Sequence, residues 1–159
     1  MSKLRVTGGA GFIGGNFVHY WTQKYQEDEV IVLEALTYAG NRSTLKGAER
    51  TELIEGDIRD QELVERLLRD HGIATIVHFA AESHVDRSIT GPDAFIDTNI
   101  LGTNSLLKAA RAVWLSGDGV EHRFHHISTD EVFGSLREHD PAFSETTPYA
   151  PISPYSASN

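Results

Sequence analysis

The sequence contains no cysteine. This absence excludes a disulfide framework, a thiol nucleophile and a thiolate zinc site. Basic residues are also scarce, because 14 Lys and Arg face 23 Asp and Glu and leave a formal net charge of -9. Nucleic-acid binders need a basic face to neutralise phosphates, and this balance does not favour one. We therefore expect neither a disulfide nor a nucleic-acid partner.

Long apolar runs are missing as well, so the sequence contains no candidate membrane span. A glycine-rich motif starts at Thr7, which leaves no room for a signal peptide ahead of it. The hydrophobic fraction of 40% and the charged fraction of 23% are ordinary for a globular protein. A chain of 159 residues is long enough to build one core. We expect a single cytoplasmic domain without a membrane partner.

Short β-prone runs alternate with helical patterns along the chain. The apolar run from Val30 to Leu33 is typical of a strand buried on both faces of a parallel sheet. Apolar spacing predicts a helix after the glycine motif, a second helix with Asp60 as its N-cap, and a long third helix from Pro92 toward Gly117. Gly102 lies within that third helix and indicates close packing there. Strands are predicted at residues 4–7, 30–33, 53–54, 73–79 and 122–128. The alternation predicts an α/β fold with a doubly wound parallel sheet.

Gly8, Gly11 and Gly14 form a G-x-x-G-x-x-G pattern between the first strand and the first helix. Missing Cβ atoms let the backbone approach a pyrophosphate, and the helix N-terminus offers free N–H groups. Glu34 ends the next strand, where a carboxylate would accept hydrogen bonds from both hydroxyls of a ribose. This combination predicts a Rossmann-like domain that binds NAD, because Glu34 would repel the 2′-phosphate of NADP.

Several residues around this motif have a second interpretation. Glu34 could instead be a solvated carboxylate at a strand end, and Arg42 could accommodate a 2′-phosphate. Asp57 could meet the adenine amino group while Ile58 covers the ring. Alternatively, Asp57 could be a turn residue that caps the next helix. Together with the glycine motif, the sequence favours the ribose contact of Glu34, whereas it leaves the two interpretations of Asp57 open.

Two adjacent acids, Asp130 and Glu131, follow Thr129 just after the predicted fifth strand. A plain turn is one explanation. After a dinucleotide motif, an acid and a base are the better one, because desolvated neighbouring carboxyl groups differ in proton affinity. Tyr155 stands at a predicted helix start, where a lysine one turn later would stabilise its phenolate, but Asn159 occupies that position. Neighbouring histidines on a strand face opposite ways, and we predict no metal site.

Five stretches of the sequence carry a family resemblance. They are TGGAGFIG at 7–14, LTYAGN at 36–41, AAESHVDRSI at 80–89, STDEVFG at 128–134 and PYSAS at 154–158. Together they resemble the extended short-chain dehydrogenase/reductase superfamily and, within it, the dTDP-glucose 4,6-dehydratases. The first stretch marks only the superfamily, whereas AAESHVDRS and STDEVFG are more specific. Sugar-nucleotide 4-epimerases usually carry small residues where Asp130 and Glu131 stand, and related dehydratases and decarboxylases lack the preceding Asp.

The resemblance implies an NAD-dependent lyase that acts on dTDP-glucose. Tyr155 would take the proton of the 4-hydroxyl during oxidation at C4, and Thr129 would hydrogen-bond that oxygen. Glu131 would remove the C5 proton, and Asp130 would protonate the departing 6-hydroxyl. Hydride return to C6 would give dTDP-4-keto-6-deoxyglucose. Ser83 and Thr129 would contact the substrate.

The same resemblance implies a set of residues in contact with NAD. They are Gly8, Gly11, Phe12, Ile13, Gly14, Glu34, Ala35, Leu36, Thr37, Asp57, Ile58, Phe79, Ala80, Ala81, Ser83, Thr98, Tyr155 and Asn159. The last of these stands where the family has its lysine, so the cation that supports the phenolate would be missing.

The resemblance also implies that residues 1–159 are an incomplete NAD-binding domain without the carboxyl-terminal sugar-nucleotide-binding part. Such a sheet would expose an edge strand. A full-length form would be a homodimer, joined through the helix around residues 95–114 and the helix of Tyr155. Two alternative functions remain: another sugar-nucleotide epimerase or dehydratase of the superfamily, and a non-catalytic NAD-binding module.

Overall fold

Strands and helices alternate along residues 3–115 and 119–159, the parts of the chain that the computed structural model describes. The strands are β1 (Lys3–Thr7), β2 (Glu29–Glu34), β3 (Thr51–Glu55), β4 (Thr75–His78) and β5 (Arg123–His126). The α-helices are α1 (Phe12–Lys24), α2 (Gln61–His71), α3 (Val85–Thr90), α4 (Asp93–Phe95), α5 (Thr103–Trp114) and α6 (Pro154–Ala157). Short 3-10 turns span Arg42–Leu45 and Asp130–Phe133, and a π-helical segment spans Ile96–Gly102.

The five strands form one parallel sheet in the order β3-β2-β1-β4-β5. This order reverses direction between β1 and β4, which is the point where doubly wound sheets bind ligands. Thr7 pairs in register with Leu33 of β2 and with His78 of β4. The carboxyl ends of these strands therefore lie along one edge of the sheet. The predicted fold class is confirmed.

Apolar side chains cover both faces of the sheet. Val30 and Val32 of β2 pack with Val18 of α1 on one face. Ile31 and Leu33 of the same strand pack against α2 and α5 on the other face. The prediction that this strand is buried on both sides is correct. Burial of each such side chain stabilises the fold by roughly 1.5–3 kcal/mol relative to exposure, so β2 anchors the position of the residues that follow it.

The chain divides into two units. The sheet unit consists of residues up to Ala80 together with Gly102–Ile127, and it contains all five strands. The loop unit consists of Ala81–Leu101 and Ser128–Asn159.

The long helix predicted from Pro92 is divided into α4, the π-helical segment and α5. Pro92 is the N-cap of α4, as its position suggested, and α5 ends at Trp114. The predicted end near Gly117 lies outside the described residues. A Cβ at Gly102 would lie 2.5 Å from Cδ1 of Ile58, so the predicted close packing at Gly102 is confirmed.

Other elements differ from the sequence prediction mainly in their bounds. The third strand is longer than predicted, whereas the fourth and fifth strands are shorter. Helix α3 was not predicted, because its sequence VDRSIT is polar and β-branched and follows a run that indicates a turn. Asp60 is the N-cap of α2, as predicted, and its side chain accepts a hydrogen bond from Leu63 N at 2.9 Å. Among the described residues, no helix is long and apolar enough to cross a membrane.

Arg5 lies in the central strand β1 and is fully buried. Within the described residues, none of its guanidinium nitrogens has a hydrogen-bond partner. Burial lowers the pKa of Arg5 to about 10, an effect that the charge of Glu52 opposes. A buried cation without partners costs several kcal/mol in free energy of folding. Arg5 therefore destabilises the sheet unit at neutral pH.

We predict that Arg5→Met raises the free energy of unfolding by about 1–4 kcal/mol, because an apolar side chain of similar length replaces a desolvated charge. Urea unfolding at pH 7 measures the change. Arg123→Met on β5 is the matched control, since that side chain is exposed and its loss should change stability by less than about 0.5 kcal/mol. A lower stability for Arg5→Met than for the unchanged protein would show that Arg5 is stabilising.

His78 is another buried titratable residue of the sheet unit. Its Nδ1 is 2.6 Å from Oγ1 of Thr7, and its Nε2 is 2.9 Å from Oγ1 of Thr103. Oγ1 of Thr7 also accepts a hydrogen bond from Ala80 N at 3.3 Å. Burial, and to a smaller extent the charge of the neighbouring His126, lower the pKa of His78 to about 3. The imidazole is thus neutral at pH 7, and it ties the end of β1 to α5.

This shift of the His78 pKa predicts a pH-dependent stability. The unfolded chain binds a proton at His78 with a pKa of 6.5 and the folded chain does so at about 3, so folding loses stability as the pH falls through this window. The full loss is on the order of 5 kcal/mol. The variant His78→Gln lacks this contribution. Its stability relative to that of the unchanged protein should therefore rise as the pH is lowered from 7 to 4. Unfolding curves at each pH test this, with His139→Gln in an exposed loop as control; parallel profiles for unchanged protein and His78→Gln would contradict it.

Candidate functional site

The turn between β1 and α1 brings backbone against backbone at two glycines. Gly8 has a φ of 69°, and a Cβ there would lie 2.6 Å from Ala80 N. A Cβ at Gly14 would overlap the carbonyl oxygen of Gly8. Gly11 is the N-cap of α1 and, within the described chain, no side chain caps this helix end. The turn therefore presents uncapped backbone N–H groups, which suit a pyrophosphate. Phe12 and Ile13 in the first turn of α1 are exposed.

Glu34 at the end of β2 is held against this turn. Its Oε2 accepts a hydrogen bond from Ala10 N at 3.1 Å, and its Oε1 accepts one from Leu36 N at 3.3 Å. The residue is only 9% exposed. The interpretation of Glu34 as a solvated carboxylate is therefore wrong. Each carboxylate oxygen can accept a further hydrogen bond, so the predicted contact with ribose hydroxyls is compatible with this arrangement.

The loop after β2 folds back over Glu34. Leu36 has a φ of 52°, an uncommon backbone conformation for a residue with a side chain. A Cβ at Gly40 would lie 2.9 Å from Oε1 of Glu34. Asn41 N donates to the carbonyl oxygen of Ala10 at 3.0 Å, which joins the loop to the glycine turn. The neighbouring predicted site residues Ala35 and Thr37 are exposed.

Arg42, the possible partner of a 2′-phosphate, forms a salt bridge with Glu55 at the end of β3. Both side chains are more than half exposed. The carboxylate of Glu55 would therefore compete with a 2′-phosphate for the guanidinium of Arg42.

Asp57 and Ile58 follow β3. Asp57 accepts hydrogen bonds from Arg59 N at 2.8 Å and from the Arg59 guanidinium at 2.7 Å. The side-chain hydrogen bond from Arg59 lowers the pKa of Asp57. Since Asp60 caps α2, the alternative role of Asp57 as the helix cap is wrong. Ile58 is buried in the core beside Gly102. Contact of either residue with adenine stays a prediction.

Phe79 and Ala80 directly follow β4 and belong to the sheet unit. The ring of Phe79 lies 5.2 Å from that of Phe17 on α1, and Phe79 N donates to the carbonyl oxygen of Thr7 at 3.0 Å. Ala80 contacts Gly8 as described above. Both predicted site residues thus help to fix the glycine turn.

In the loop unit, Thr129 shapes the turn that carries the two acids. Thr129 is the N-cap of the 3-10 turn Asp130–Phe133, and its Oγ1 accepts a hydrogen bond from Glu131 N at 3.3 Å. Asp130 is exposed and Glu131 is half-buried. The two carboxyl groups therefore lie in different environments although they are adjacent in sequence.

The segment after this turn holds it in place. Ala150 N donates to the carbonyl oxygen of Val132 at 2.9 Å. Gly134 has a φ of 96°, and a Cβ there would lie 2.9 Å from the carbonyl oxygen of Ala150. The ring of Phe133 stacks on that of Tyr149 at 5.4 Å. The long loop therefore packs against the acidic turn.

Tyr155 lies in the first turn of α6, so the predicted helix start is confirmed. Ser153 and Ser156 form a reciprocal capping box around Pro154. The half-buried Tyr155 ring meets that of Phe95 edge to face at 6.4 Å. Asn159 Nδ2 donates to the carbonyl oxygen of Tyr155 at 2.8 Å. The amide at position 159 is thus bonded to helix backbone and carries no charge.

Asn99 joins three segments of the loop unit and was not singled out from the sequence. It is buried, and its Oδ1 accepts from Glu82 N at 2.8 Å. Its Nδ2 donates to the carbonyl oxygen of Glu82 at 3.0 Å and to Oγ of Ser158 at 2.8 Å. Asn99 therefore links the segment of the predicted residues Ala81 and Ser83 to α6. Thr98 beside it is half-buried.

Sequence reasoning also missed Gly9 and Gly15. A Cβ at Gly9 would lie 2.8 Å from Cγ1 of Val32, and one at Gly15 would overlap Cγ2 of Thr44. Both glycines stand next to motif glycines, and this adjacency was the available signal. Among the described residues, no group of three or more His, Asp or Glu could hold a metal ion.

Comparison with known proteins places the chain in a family. A family model described as GDP-mannose 4,6 dehydratase matches residues 6–159. The dTDP-glucose 4,6-dehydratase of Mycobacterium tuberculosis strain H37Rv is 52% identical over 157 residues, which are 98% of this chain and 45% of the relative. The crystal structure of the Streptomyces venezuelae dTDP-glucose 4,6-dehydratase DesIV, with NAD bound, is 48% identical with a TM-score of 0.87. The match covers 98% of this chain and 48% of the DesIV chain.

Enzymes of another activity share this fold. The UDP-Glc/GlcNAc 4-epimerase of Campylobacter jejuni matches with a TM-score of 0.85 at 28% identity, over 99% of this chain and 46% of that one. Fold similarity alone thus does not separate dehydratases from epimerases. The chain spans less than half the length of these relatives. Because the family model covers nearly the whole chain, the chain belongs to the GDP-mannose 4,6 dehydratase family.

Proposed function

We propose that the chain is the NAD-binding part of a dTDP-glucose 4,6-dehydratase, a hydro-lyase. The observation that carries the proposal is the Thr129-capped turn with the adjacent acids Asp130 and Glu131. It occurs in a chain 52% identical to a dTDP-glucose 4,6-dehydratase across almost its whole length. A single elimination of water needs one group that donates a proton and one that accepts a proton. The neighbouring carboxyl groups of Asp130 and Glu131 would supply one of each.

The sheet unit has the features that a dinucleotide requires. Gly8 and Gly14 leave no space for a Cβ, and the first turn of α1 offers uncapped N–H groups. These groups would hold the pyrophosphate. Glu34, fixed by Ala10 N and Leu36 N, would accept hydrogen bonds from the adenine ribose. Related dTDP-glucose 4,6-dehydratases from Streptomyces venezuelae and Bacillus anthracis have NAD bound, which supports NAD as the cofactor.

NAD, when bound, would take up a hydride from C4 of the sugar and return it to C6. Tyr155 would accept the proton of the 4-hydroxyl, and Thr129 would hydrogen-bond the same oxygen. Both side chains belong to the loop unit, where the capping box and Asn99 fix α6. Ser83 would contact the substrate from the same unit. Asn159 supplies no cation to a phenolate, so we expect slower proton removal by Tyr155 than a lysine at this position would allow.

The two acids would carry the elimination. A carbonyl at C4 acidifies the C5 proton, which Glu131 would remove. Asp130 would donate a proton to the 6-hydroxyl, which leaves as water. Glu131 would return a proton to C5 when hydride is added at C6, so the proton taken by Tyr155 and the one given by Asp130 account for the single water molecule lost. An epimerase needs neither step, because it leaves C6 hydroxylated; the fold shared with the Campylobacter jejuni epimerase makes this the second candidate function.

Further features of the protein stay predictions within this proposal. They are dTDP-glucose as the substrate, a homodimer in the full-length protein, a cytoplasmic location, and residues 1–159 as one incomplete NAD-binding domain. The alternative of a non-catalytic NAD-binding module rests on Asn159.

We predict that Glu131→Gln lowers the rate of product formation by about 10²–10⁴-fold, which is the usual contribution of a general base. The test measures dTDP-4-keto-6-deoxyglucose formed from dTDP-glucose with NAD. In deuterated water, the same variant should lose incorporation of deuterium at C5. Oxidation at C4 should persist, so reduced nicotinamide should accumulate.

Glu138→Gln is the matched control, because Glu138 is an exposed carboxylate in the loop after the acidic turn. Product formation at an unchanged rate in Glu131→Gln would remove this residue from the elimination. Release of a 6-hydroxylated epimer would favour an epimerase. Binding of NAD without turnover, even after Asn159→Lys, would favour the non-catalytic module.

A further inference from the structure

We propose that Glu55 is a second determinant of the preference for NAD over NADP, because it holds Arg42 in a salt bridge and keeps that guanidinium from a 2′-phosphate. The inference rests on the proposed dinucleotide site of the sheet unit. It concerns a different interaction from the repulsion by Glu34: one acid would repel the phosphate directly, and the other would occupy the cation that could attract it.

Glu55 and Glu34 are the last residues of the neighbouring strands β3 and β2. The two residues pair in register between β3 and β2, and the following Gly56 N donates to the carbonyl oxygen of Glu34 at 3.0 Å. Side chains of residues in register leave a parallel sheet on the same side. Glu34 is buried against the glycine turn, whereas the Glu55 side chain is 59% exposed. Two carboxylates of different accessibility therefore stand at this edge.

Arg42 is connected to the same edge by its own backbone. The preceding Asn41 donates its N–H to Ala10 of the glycine turn at 3.0 Å. Gly40, one residue earlier, lies against the Glu34 carboxylate. Consecutive Cα atoms are about 3.8 Å apart, and Arg42 follows the first of these contacts by one residue and the second by two. An extended arginine side chain can cover that separation.

The backbone at Arg42 is also fixed in orientation. Oδ1 of Asn41 accepts hydrogen bonds from Ser43 N at 2.9 Å and from Ser43 Oγ at 2.8 Å. This cap starts the 3-10 turn that contains Arg42. Arg50, a later cation before β3, instead donates to the carbonyl oxygen of Gln26 at 2.9 Å. Arg42 is thus a cation that the loop after Glu34 directs to this edge.

The salt bridge between Arg42 and Glu55 is exposed, and such pairs are weak. A phosphate dianion would compete for the guanidinium with a bidentate, charge-assisted interaction. Glu55 therefore lowers the affinity for a 2′-phosphate moderately and does not abolish its binding. Removal of its charge should free Arg42 for the phosphate without altering the contacts of Glu34.

The experiment compares dissociation constants of NAD⁺ and NADP⁺ by calorimetry on the purified protein. In Glu55→Gln, the affinity for NADP⁺ should rise by about three- to fivefold, whereas that for NAD⁺ should change by less than about twofold. The gain should vanish in the double variant Arg42→Gln/Glu55→Gln, because it depends on the released guanidinium.

Glu52→Gln controls for the loss of one negative charge, since Glu52 is an exposed residue of the same strand. An equal gain in this control, or a gain that persists in the double variant, would overturn the inference in favour of a general charge effect. Equal changes for both nucleotides in Glu55→Gln would overturn it too. If the unchanged protein bound neither nucleotide, the proposed function would fail and this inference with it; binding of NAD⁺ with no effect of Glu55→Gln would reject the inference alone.

Discussion

The close approach of backbone to backbone at Gly8 and Gly14 is the constraint on which the rest of the sheet unit depends. Gly8 lies against Ala80 beyond β4, and Gly14 lies against the carbonyl of Gly8. Helix α1 can start this close to β1 only because both positions lack a Cβ. The turn brings Ala10 to the carboxylate of Glu34, so the position of the acid follows from the glycines.

The loop unit is stabilised in a different way, by hydrogen bonds from side chains to backbone. Thr129 shapes the acidic turn, Ser153 caps α6, and Asn99 joins Glu82 to Ser158. Such bonds fix irregular backbone without a large apolar core. They explain how a polar chain can hold Asp130 and Glu131 at the start of a defined turn, which is the property that an acid and a base need.

Much of the fold followed from the sequence, because apolar periodicity and glycine spacing are local signals. The run from Val30 to Leu33 identified a strand covered on both faces, and Gly102 indicated close packing, although not its partner Ile58. Helix α3 and the buried roles of His78 and Asn99 could not be predicted. Helix α3 lacks the apolar periodicity that marks a helix, and the roles of His78 and Asn99 depend on partners distant in sequence, Thr103 and Ser158. For the same reason the pairing of Arg42 with Glu55 could not be read from the sequence.

Calorimetry of NAD⁺ binding to Gly14→Ala tests the central claim most directly. Alanine should favour an isolated helix by about 1 kcal/mol over glycine, yet at this position its Cβ would overlap the Gly8 carbonyl. The account predicts that the affinity for NAD⁺ falls by at least about tenfold in this variant. Gly91→Ala, at a position with no close neighbours, should bind like the unchanged protein. Unchanged affinity in Gly14→Ala would contradict the claim that the packed glycine turn forms the dinucleotide site.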